Sequence, residues 1–149
     1  MSLEYEVKAE QIIPNISTVR TKRAQIYFDS SPKQSEHLFN PAELFLSAFA
    51  ACVLKNVERF SEILKFSYTK ADISVHGVRE EPPPRLTKVH YELTIWTEES
   101  QHRVDLLRKN LEKHGTIFNT IALACMVSGE VRIESSISKA CLHPYHISA

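Results

Sequence analysis

The sequence predicts an α+β fold in a single domain over residues 1–149. Apolar and polar residues alternate along several short segments, which indicates strands with one buried face. A long run from residue 41 is apolar on nearly all sides at first and amphipathic afterwards, which indicates one long helix. Two shorter amphipathic segments follow. A chain of 149 residues is long enough to bury a core of its own.

The N-terminal part of the chain is predicted to be strands and loops. Residues 4–8 are compatible with a short strand, and residues 17–29 with a longer one whose end alternates with a period of two. Residues 29–37 contain several turn-forming residues and are predicted to be a loop.

A helix is predicted to begin at Pro41 and to continue to residue 65. Asn40 is a favourable N-cap, Pro41 suits the first helical position, and Glu43 lies in the first turn. Because the first half is apolar almost all round, we expect it to be buried and central, with the second half partly exposed. One chain offers little to cover such a helix, so the sequence also predicts a partner subunit.

The C-terminal half is predicted to be a hairpin, two helices and a closing strand. Three consecutive prolines separate two alternating segments, which favours an antiparallel hairpin with an irregular connection. Gly115 can end one helix, and Thr116 is a possible N-cap of the next. The predicted bounds are strands at 70–79 and 86–97, helices at 101–114 and 116–127, and a strand at 130–138.

Composition and charge exclude several classes of function. The 18 basic residues balance the 18 acidic ones, so bulk charge does not favour a nucleic acid or a membrane surface as partner. No apolar run approaches the ~18 residues that a membrane span needs. The three glycines form no phosphate-binding loop, and we expect no cofactor and no metal. Three cysteines, an odd and small number, favour a reduced, cytoplasmic protein.

Cys52 is the main candidate for chemistry. It lies in the apolar half of the long predicted helix, among small neighbours that would let another element approach its sulfur. A reactive cysteine needs a cation or a hydrogen-bond donor nearby to favour the thiolate, and Arg20 and Arg23 on the second predicted strand are the obvious cations. The alternative is that Cys52 is a small buried core residue and that both arginines are solvated.

The segment Asn40-Pro41-Ala42-Glu43-Leu44, followed after seven residues by Cys52, resembles the signature of the OsmC/Ohr family around its reactive cysteine. The loop before it, the proline-rich connection at 79–87 and the order of elements are also similar. The resemblance covers roughly residues 15–138. It implies an OsmC-like antiparallel sheet wrapped around long central helices in an intertwined homodimer.

The resemblance also implies thiol-dependent reduction of organic and inorganic hydroperoxides in oxidative-stress defence. Cys52 then matches the cysteine that attacks the peroxide. Arg20 or Arg23 matches the arginine that keeps the sulfur ionised. Glu43 matches the acid of the OsmC-like branch, whereas in the peroxidase branches the glutamate occupies the position of Ala42.

The second cysteine of the family is the larger departure, because Gly115 stands at its position, between His114 and Thr116. A different alignment places Cys125 there, which needs a bend after Gly115 to bring it within reach of Cys52. Cys141, in the tail, is a weaker candidate. His114 could act on a bound ligand, although a capping or surface role is the simpler interpretation.

Two functions therefore follow as alternatives. The first is a hydroperoxide reductase that uses Cys52 alone and an external thiol reductant. The second is a catalytically degenerate homodimer of the same fold that binds a small apolar or electrophilic ligand. A Cys/His metal site or a Cys-His hydrolase is a third possibility that no spacing selects.

Overall fold

The computed structural model describes residues 1–136. These residues form a mixed α+β structure, as predicted, and its strands make two three-stranded sheets. The elements in chain order are β1 (Lys8–Ile13), β2 (Ile16–Thr21), β3 (Ala24–Asp29), α1 (Pro41–Leu64), β4 (Lys70–Glu80), β5 (Arg85–Trp96), α2 (Gln101–His114), α3 (Thr116–Ala122) and β6 (Met126–Glu134).

The residues cluster in two compact units, of which the first is Met1–Ser47 and the second begins at Ala48. The boundary falls inside α1. A single domain over 1–149 stays a prediction. Among the helices of residues 1–136, none has the length and apolar character that a membrane span requires.

The first unit contains the antiparallel sheet β1-β2-β3. The predicted strand at 4–8 is wrong, because the first strand starts at Lys8 and pairs with β2. The predicted strand at 17–29 is two strands, since the chain reverses at Lys22, whose φ is 54°. Asn15, with a φ of 75°, makes the turn before it. Asparagine tolerates this left-handed conformation, whereas a lysine there is hard to foresee from sequence.

The loop after β3 is organised by the buried carboxylate of Asp29. The backbone N–H groups of Ser31 and Ser35 each donate to this carboxylate at 2.8 Å. Hydrogen bonds from Ser31, and then from the Ser35 backbone, hold the pKa of Asp29 below its usual value. The predicted loop therefore has a defined conformation that leads the chain to the start of α1.

Helix α1 begins at Pro41, as predicted, and ends at Leu64, within one residue of the expected end. Within this chain the first half of α1 is mostly exposed or half-buried, so its expected burial, which includes cover by a partner subunit, stays a prediction. The fully buried residues occupy one stripe in the middle and second half, while Ala48, Ala51 and Leu54 on the opposite side are exposed. The buried set is Phe49, Val53, Asn56, Val57, Phe60 and Ser61.

The second unit contains the sheet β4-β5-β6. Strands β4 and β5 form the predicted antiparallel hairpin, but β5 and β6 pair in parallel. The expected antiparallel arrangement is therefore confirmed for β4 and β5 and wrong for β5 and β6. Helices α2 and α3 lie between β5 and β6 in sequence, and a helical crossover is what allows two successive strands of one sheet to run parallel.

The core of the second unit lies on one face of β5 and on one stripe of α2. Alternate residues Val89, Tyr91, Leu93 and Ile95 of β5 are at most 2% exposed. Val104, Leu107 and Leu111 form the buried stripe of α2, as the sequence predicted. Gly115 follows α2 as its C-cap, also as predicted.

The end of the chain differs from the prediction in two bounds. Helix α3 ends at Ala122 rather than at 127, because the chain turns and enters the sheet at Met126. The last strand is β6 at Met126–Glu134, whereas it was expected at 130–138; residues 137 and 138 lie outside the described residues.

Candidate functional site

Cys52 lies on α1 at the border between the buried stripe and the exposed side. Each residue advances a helix by 100°, which places Cys52 about 40° from Asn56 and about 60° from Phe49. The thiol is free and half-buried, so it is neither locked in the core nor fully solvated.

The hydrogen bond that the described residues show at the Cys52 sulfur comes from the carboxamide of Asn56. Its Nδ2 donates to the Sγ of Cys52 at 3.7 Å, an ordinary distance for a hydrogen bond to sulfur. Asn56 lies one turn after Cys52 and is only 8% exposed. The sequence alone does not single out Asn56. A polar side chain four residues after the cysteine, within an apolar stripe, is the signal that could have identified it.

Gly115, between α2 and α3, lies close to Asn56. A Cβ at this position would stand 2.9 Å from the Cβ of Phe118, 3.0 Å from the carbonyl oxygen of Leu111 and 3.7 Å from the Nδ2 of Asn56. The junction is therefore too tight for a side chain without movement of its neighbours. This is the position where the resemblance places a second cysteine. It faces Asn56, and a cysteine side chain would not fit there without movement of its neighbours.

His114 and Thr116, on either side of Gly115, have contacts and positions that are typical of structural residues. The ring of His114 lies 5.1 Å from the ring of Phe60, centroid to centroid. Thr116 is the first residue of α3 and Gly115 is the N-cap, so the expectation that Thr116 caps this helix is wrong. These contacts favour the structural interpretation of His114.

The rings of Phe49, Tyr91 and Phe118 form a packed aromatic cluster. The ring of Phe49 lies 5.6 Å from that of Phe118 and 5.8 Å from that of Tyr91, and the last two rings are 6.3 Å apart. These are the distances of favourable aromatic pairs. The cluster fixes α1, α3 and β5 relative to one another on the side of α1 that carries Phe49.

The hydroxyl of Tyr91 belongs to a partly buried polar network that the sequence analysis missed. It donates to Glu112 at 3.1 Å, and Arg108 donates to the same carboxylate oxygen at 2.9 Å and to the carbonyl of Gly129 at 2.9 Å. Burial, followed by the charge of Glu112, raises the pKa of Tyr91 to about 12. Tyr91 is therefore a neutral donor at physiological pH.

Cys125 has its own local partner. It follows α3, is half-buried, and its Sγ donates to the carbonyl oxygen of Ile121 at 3.4 Å. Burial raises the pKa of this thiol, which makes it a poorer nucleophile. Cys52 and Cys125 are both free thiols in this structure. Cys141 lies outside the described residues.

The three charged candidates belong to the first unit. Glu43 forms a capping box with Asn40: the Asn40 backbone N–H donates to the Glu43 carboxylate at 2.8 Å, and the Glu43 N–H donates to the Asn40 side chain at 2.9 Å. Arg20, on β2, pairs with Glu10 at 3.4 Å on an exposed surface. Arg23 is exposed in the turn between β2 and β3. Glu43 therefore has a structural role at the start of α1.

A group of possible metal ligands lies on the outer face of the second sheet, away from the buried β5 residues. Ligand atoms of His90, Glu92 and Glu130 lie within 4.8 Å of one another. The guanidinium of Arg132 pairs with Glu130 at 3.2 Å and with Glu92 at 3.5 Å. Both carboxylates therefore already have a cationic partner, and this group does not by itself indicate a metal ion.

Comparison with known proteins identifies a family that covers most of the chain. A family model described as "OsmC-like protein" matches residues 33–129, which includes α1, the hairpin and both shorter helices. No curated protein matches the sequence.

Solved structures of similar fold cover nearly the whole chain. An OsmC-like protein from Mycoplasma pneumoniae is 21% identical, with a TM-score of 0.81 over 89% of this chain and 99% of the other. An organic hydroperoxide resistance protein OsmC from Legionella pneumophila is 18% identical, with a TM-score of 0.71 over 88% and 99%. A Vibrio cholerae protein described as a putative organic hydroperoxide resistance protein, with captopril in one active site, is 17% identical, with a TM-score of 0.64 over 89% and 94%. At these identities the similarity shows the fold.

Proposed function

Because the chain belongs to the OsmC-like protein family, we propose that it reduces organic and inorganic hydroperoxides through the thiol of Cys52. The observation that carries the proposal is a free, half-buried thiol with an amide donor on its sulfur, at the cysteine position of the family signature. The names of two structural relatives, which refer to organic hydroperoxide resistance, support the same substrate class.

The chemistry requires only the sulfur, the peroxide and a reductant. The Cys52 thiolate attacks one oxygen of the hydroperoxide, the O–O bond breaks, and the leaving alkoxide takes up a proton as an alcohol. The sulfur is oxidised by two electrons to a sulfenic acid. A first reductant thiol then condenses with it, releasing water and forming a mixed disulfide, and a second thiol releases Cys52 and the oxidised reductant.

We propose that the reductant is an external low-molecular-weight thiol rather than a second cysteine of this chain. The resemblance places Gly115 at the position of the family's second cysteine, and a side chain there would crowd its neighbours. Cys125 donates to a backbone carbonyl and has a raised pKa. The odd and small number of cysteines, three, favours a cytoplasmic location, and the cytoplasm would supply such thiols.

Arg20 and Arg23 both stay candidates for the cation that assists Cys52. The pair that Arg20 forms with Glu10 is exposed and holds it by less than about 1 kcal/mol, so this pair does not prevent Arg20 from meeting a substrate. Removing each arginine in turn and measuring turnover would show which of them contributes.

The test is turnover of an organic hydroperoxide with a dithiol as reductant. We expect Cys52→Ser to lower the rate by about a hundredfold or more, because the reacting atom is lost. Cys125→Ser is the matched comparison: the proposal predicts a rate close to that of the unsubstituted protein. Equal rates for Cys52→Ser and the unsubstituted protein would contradict the proposal.

We also propose that a second copy of the chain covers the exposed side of α1. Ala48, Ala51 and Leu54 lie opposite the buried stripe and form an apolar face next to Cys52. Small residues on a helix face allow another backbone to approach closely. The Cys52 site would then lie at the edge of the subunit contact.

A second candidate function is ligand binding without turnover. The observation that favours it is the engagement of Glu43 in the helix cap, together with the glycine at position 115. In that case a small apolar or electrophilic molecule would occupy the site in Cys52→Ser as well as in the unsubstituted protein. Binding measured on both proteins separates this candidate from the reductase.

A further inference from the structure

The side chain of Asn56 stands out because it is polar and buried in an apolar stripe. It lies between Val53 and Phe60 on the packed side of α1 and is 8% exposed. Removing a carboxamide from water costs free energy unless it finds hydrogen-bond partners. The partner that the structure shows for its Nδ2 is the sulfur of Cys52, at 3.7 Å.

The space around Asn56 is set by Gly115. A Cβ at residue 115 would come within 3.7 Å of the Nδ2 of Asn56 and much closer to Phe118 and Leu111. The side-chain nitrogen of Asn56 is therefore close both to the Cys52 sulfur and to the glycine that stands where the family resemblance implies a second thiol. An amide donor, rather than a thiol, meets the reactive sulfur on this side.

We infer that Asn56 is a positioning residue for Cys52, holding the sulfur through its side-chain N–H and favouring the charged form that attacks a peroxide. The sulfur of a thiolate can only accept hydrogen bonds, and so can the oxygen and sulfur of a sulfenate. Hydrogen bonds to charged acceptors are stronger than those to neutral ones. A neutral thiol benefits less from the same donor. The inference deepens the proposed function, since it assigns a role at the same site.

The test measures the rate of Cys52 alkylation by iodoacetamide as a function of pH. Cys125→Ser and Cys141→Ser are introduced first, so that Cys52 is the single thiol. On this background, Asn56→Leu keeps a similar volume without the donor, and Asn56→Asp is nearly isosteric but offers only acceptors. Asn110→Leu is the matched control, because Asn110 donates its side-chain amide to the Leu106 carbonyl on α2 instead.

Asn56→Leu is expected to move the midpoint of the rate–pH profile upward by about one pH unit, which is about a tenfold lower rate below the midpoint. The limiting rate at high pH is expected to stay the same. Asn56→Asp is expected to shift the midpoint further, because its charge repels the thiolate. Asn110→Leu is expected to leave the profile unchanged.

An unchanged midpoint in whichever Asn56 variants fold would overturn the inference. So would a rate that falls by the same factor at every pH, because that pattern indicates altered packing or access. Alkylation needs no hydroperoxide, so the two ideas fail separately: shifted profiles in a protein without turnover would leave Asn56 in its role and reject the proposed function.

Discussion

Tyr91 is the residue through which several parts of the second unit are held together. Its ring packs on Phe49 and Phe118, and its hydroxyl donates to Glu112. A buried hydroxyl that lost this partner, or a carboxylate that lost its donor, would carry a desolvation cost. The stability of the region next to α1 therefore depends on a polar contact as well as on apolar packing.

Tyr91→Phe is predicted to lower the free energy of unfolding at pH 7 by about 1–2 kcal/mol, since a hydrogen bond to a charged acceptor is lost. The folded pKa of Tyr91 is raised to about 12 from 10.0, so its contribution is complete below pH 10 and is lost as the pH rises through about 12. The difference between the two proteins should shrink across that window. Urea unfolding at pH 7 and at pH 11–12 measures it, and a constant difference would contradict the assignment.

At this scale the sequence could identify Cys52 but not all of its surroundings. The signature around Cys52 and the capping role of Glu43 follow from local spacing, because both depend on residues within one or two turns of α1. Contacts of Tyr91 with Glu112 and of Gly115 with Asn56 join residues far apart in sequence. Such contacts depend on how the elements pack, which a single sequence does not specify.

Among the elements, β6 comes very close to the aromatic cluster of the second unit at Gly129. Gly129 lies against the ring of Tyr91 so closely that a Cβ would stand 2.2 Å from a ring carbon. The glycine is therefore needed for close approach of the strand to the aromatic cluster rather than for a turn.

Gly129→Ala is predicted to lower the free energy of unfolding by about 1–3 kcal/mol, because the Tyr91 ring must move out of its packed position. Gly77→Ala on β4 is the matched control for the lost flexibility of a glycine, and we expect it to change stability by less than about 1 kcal/mol. Chemical denaturation of the two variants measures both values. Equal effects would show that the contact with Tyr91 does not determine the choice of glycine.

The elements themselves were predictable to different degrees. Helices α1 and α2 follow from strong periodicity and from clear start and stop residues, and their bounds agree with the structure within one residue. The turn at Lys22 and the early end of α3 carry no comparable local signal. The parallel pairing of β6 is a property of the whole sheet, so alternation along one strand could not reveal it.

For the whole molecule, the exposed apolar side of α1 is the feature that a single chain leaves unexplained. Ala51, in the middle of this side, is exposed. Ala51→Arg is predicted to convert a homodimer into monomers, because a charge in an apolar contact is costly, raising the dimer dissociation constant by about a hundredfold or more.

Sedimentation velocity at micromolar concentration measures this change. Ala122→Arg, at the exposed end of α3, is the matched control and is expected to leave the dimer intact. An unsubstituted protein that sediments as a monomer, or an Ala51→Arg protein that stays dimeric, would reject this face as the contact.

The central claim is that Cys52 is a peroxide-reactive thiol reset from outside the chain. Its most direct test is to mix the reduced protein with one equivalent of an organic hydroperoxide, without added thiol, in the presence of a sulfenic-acid trap, and to locate the product by mass spectrometry. The account predicts rapid trapping at Cys52 and no disulfide to Cys125 or Cys141. An unmodified Cys52, or a disulfide between Cys52 and either of these residues, would contradict it.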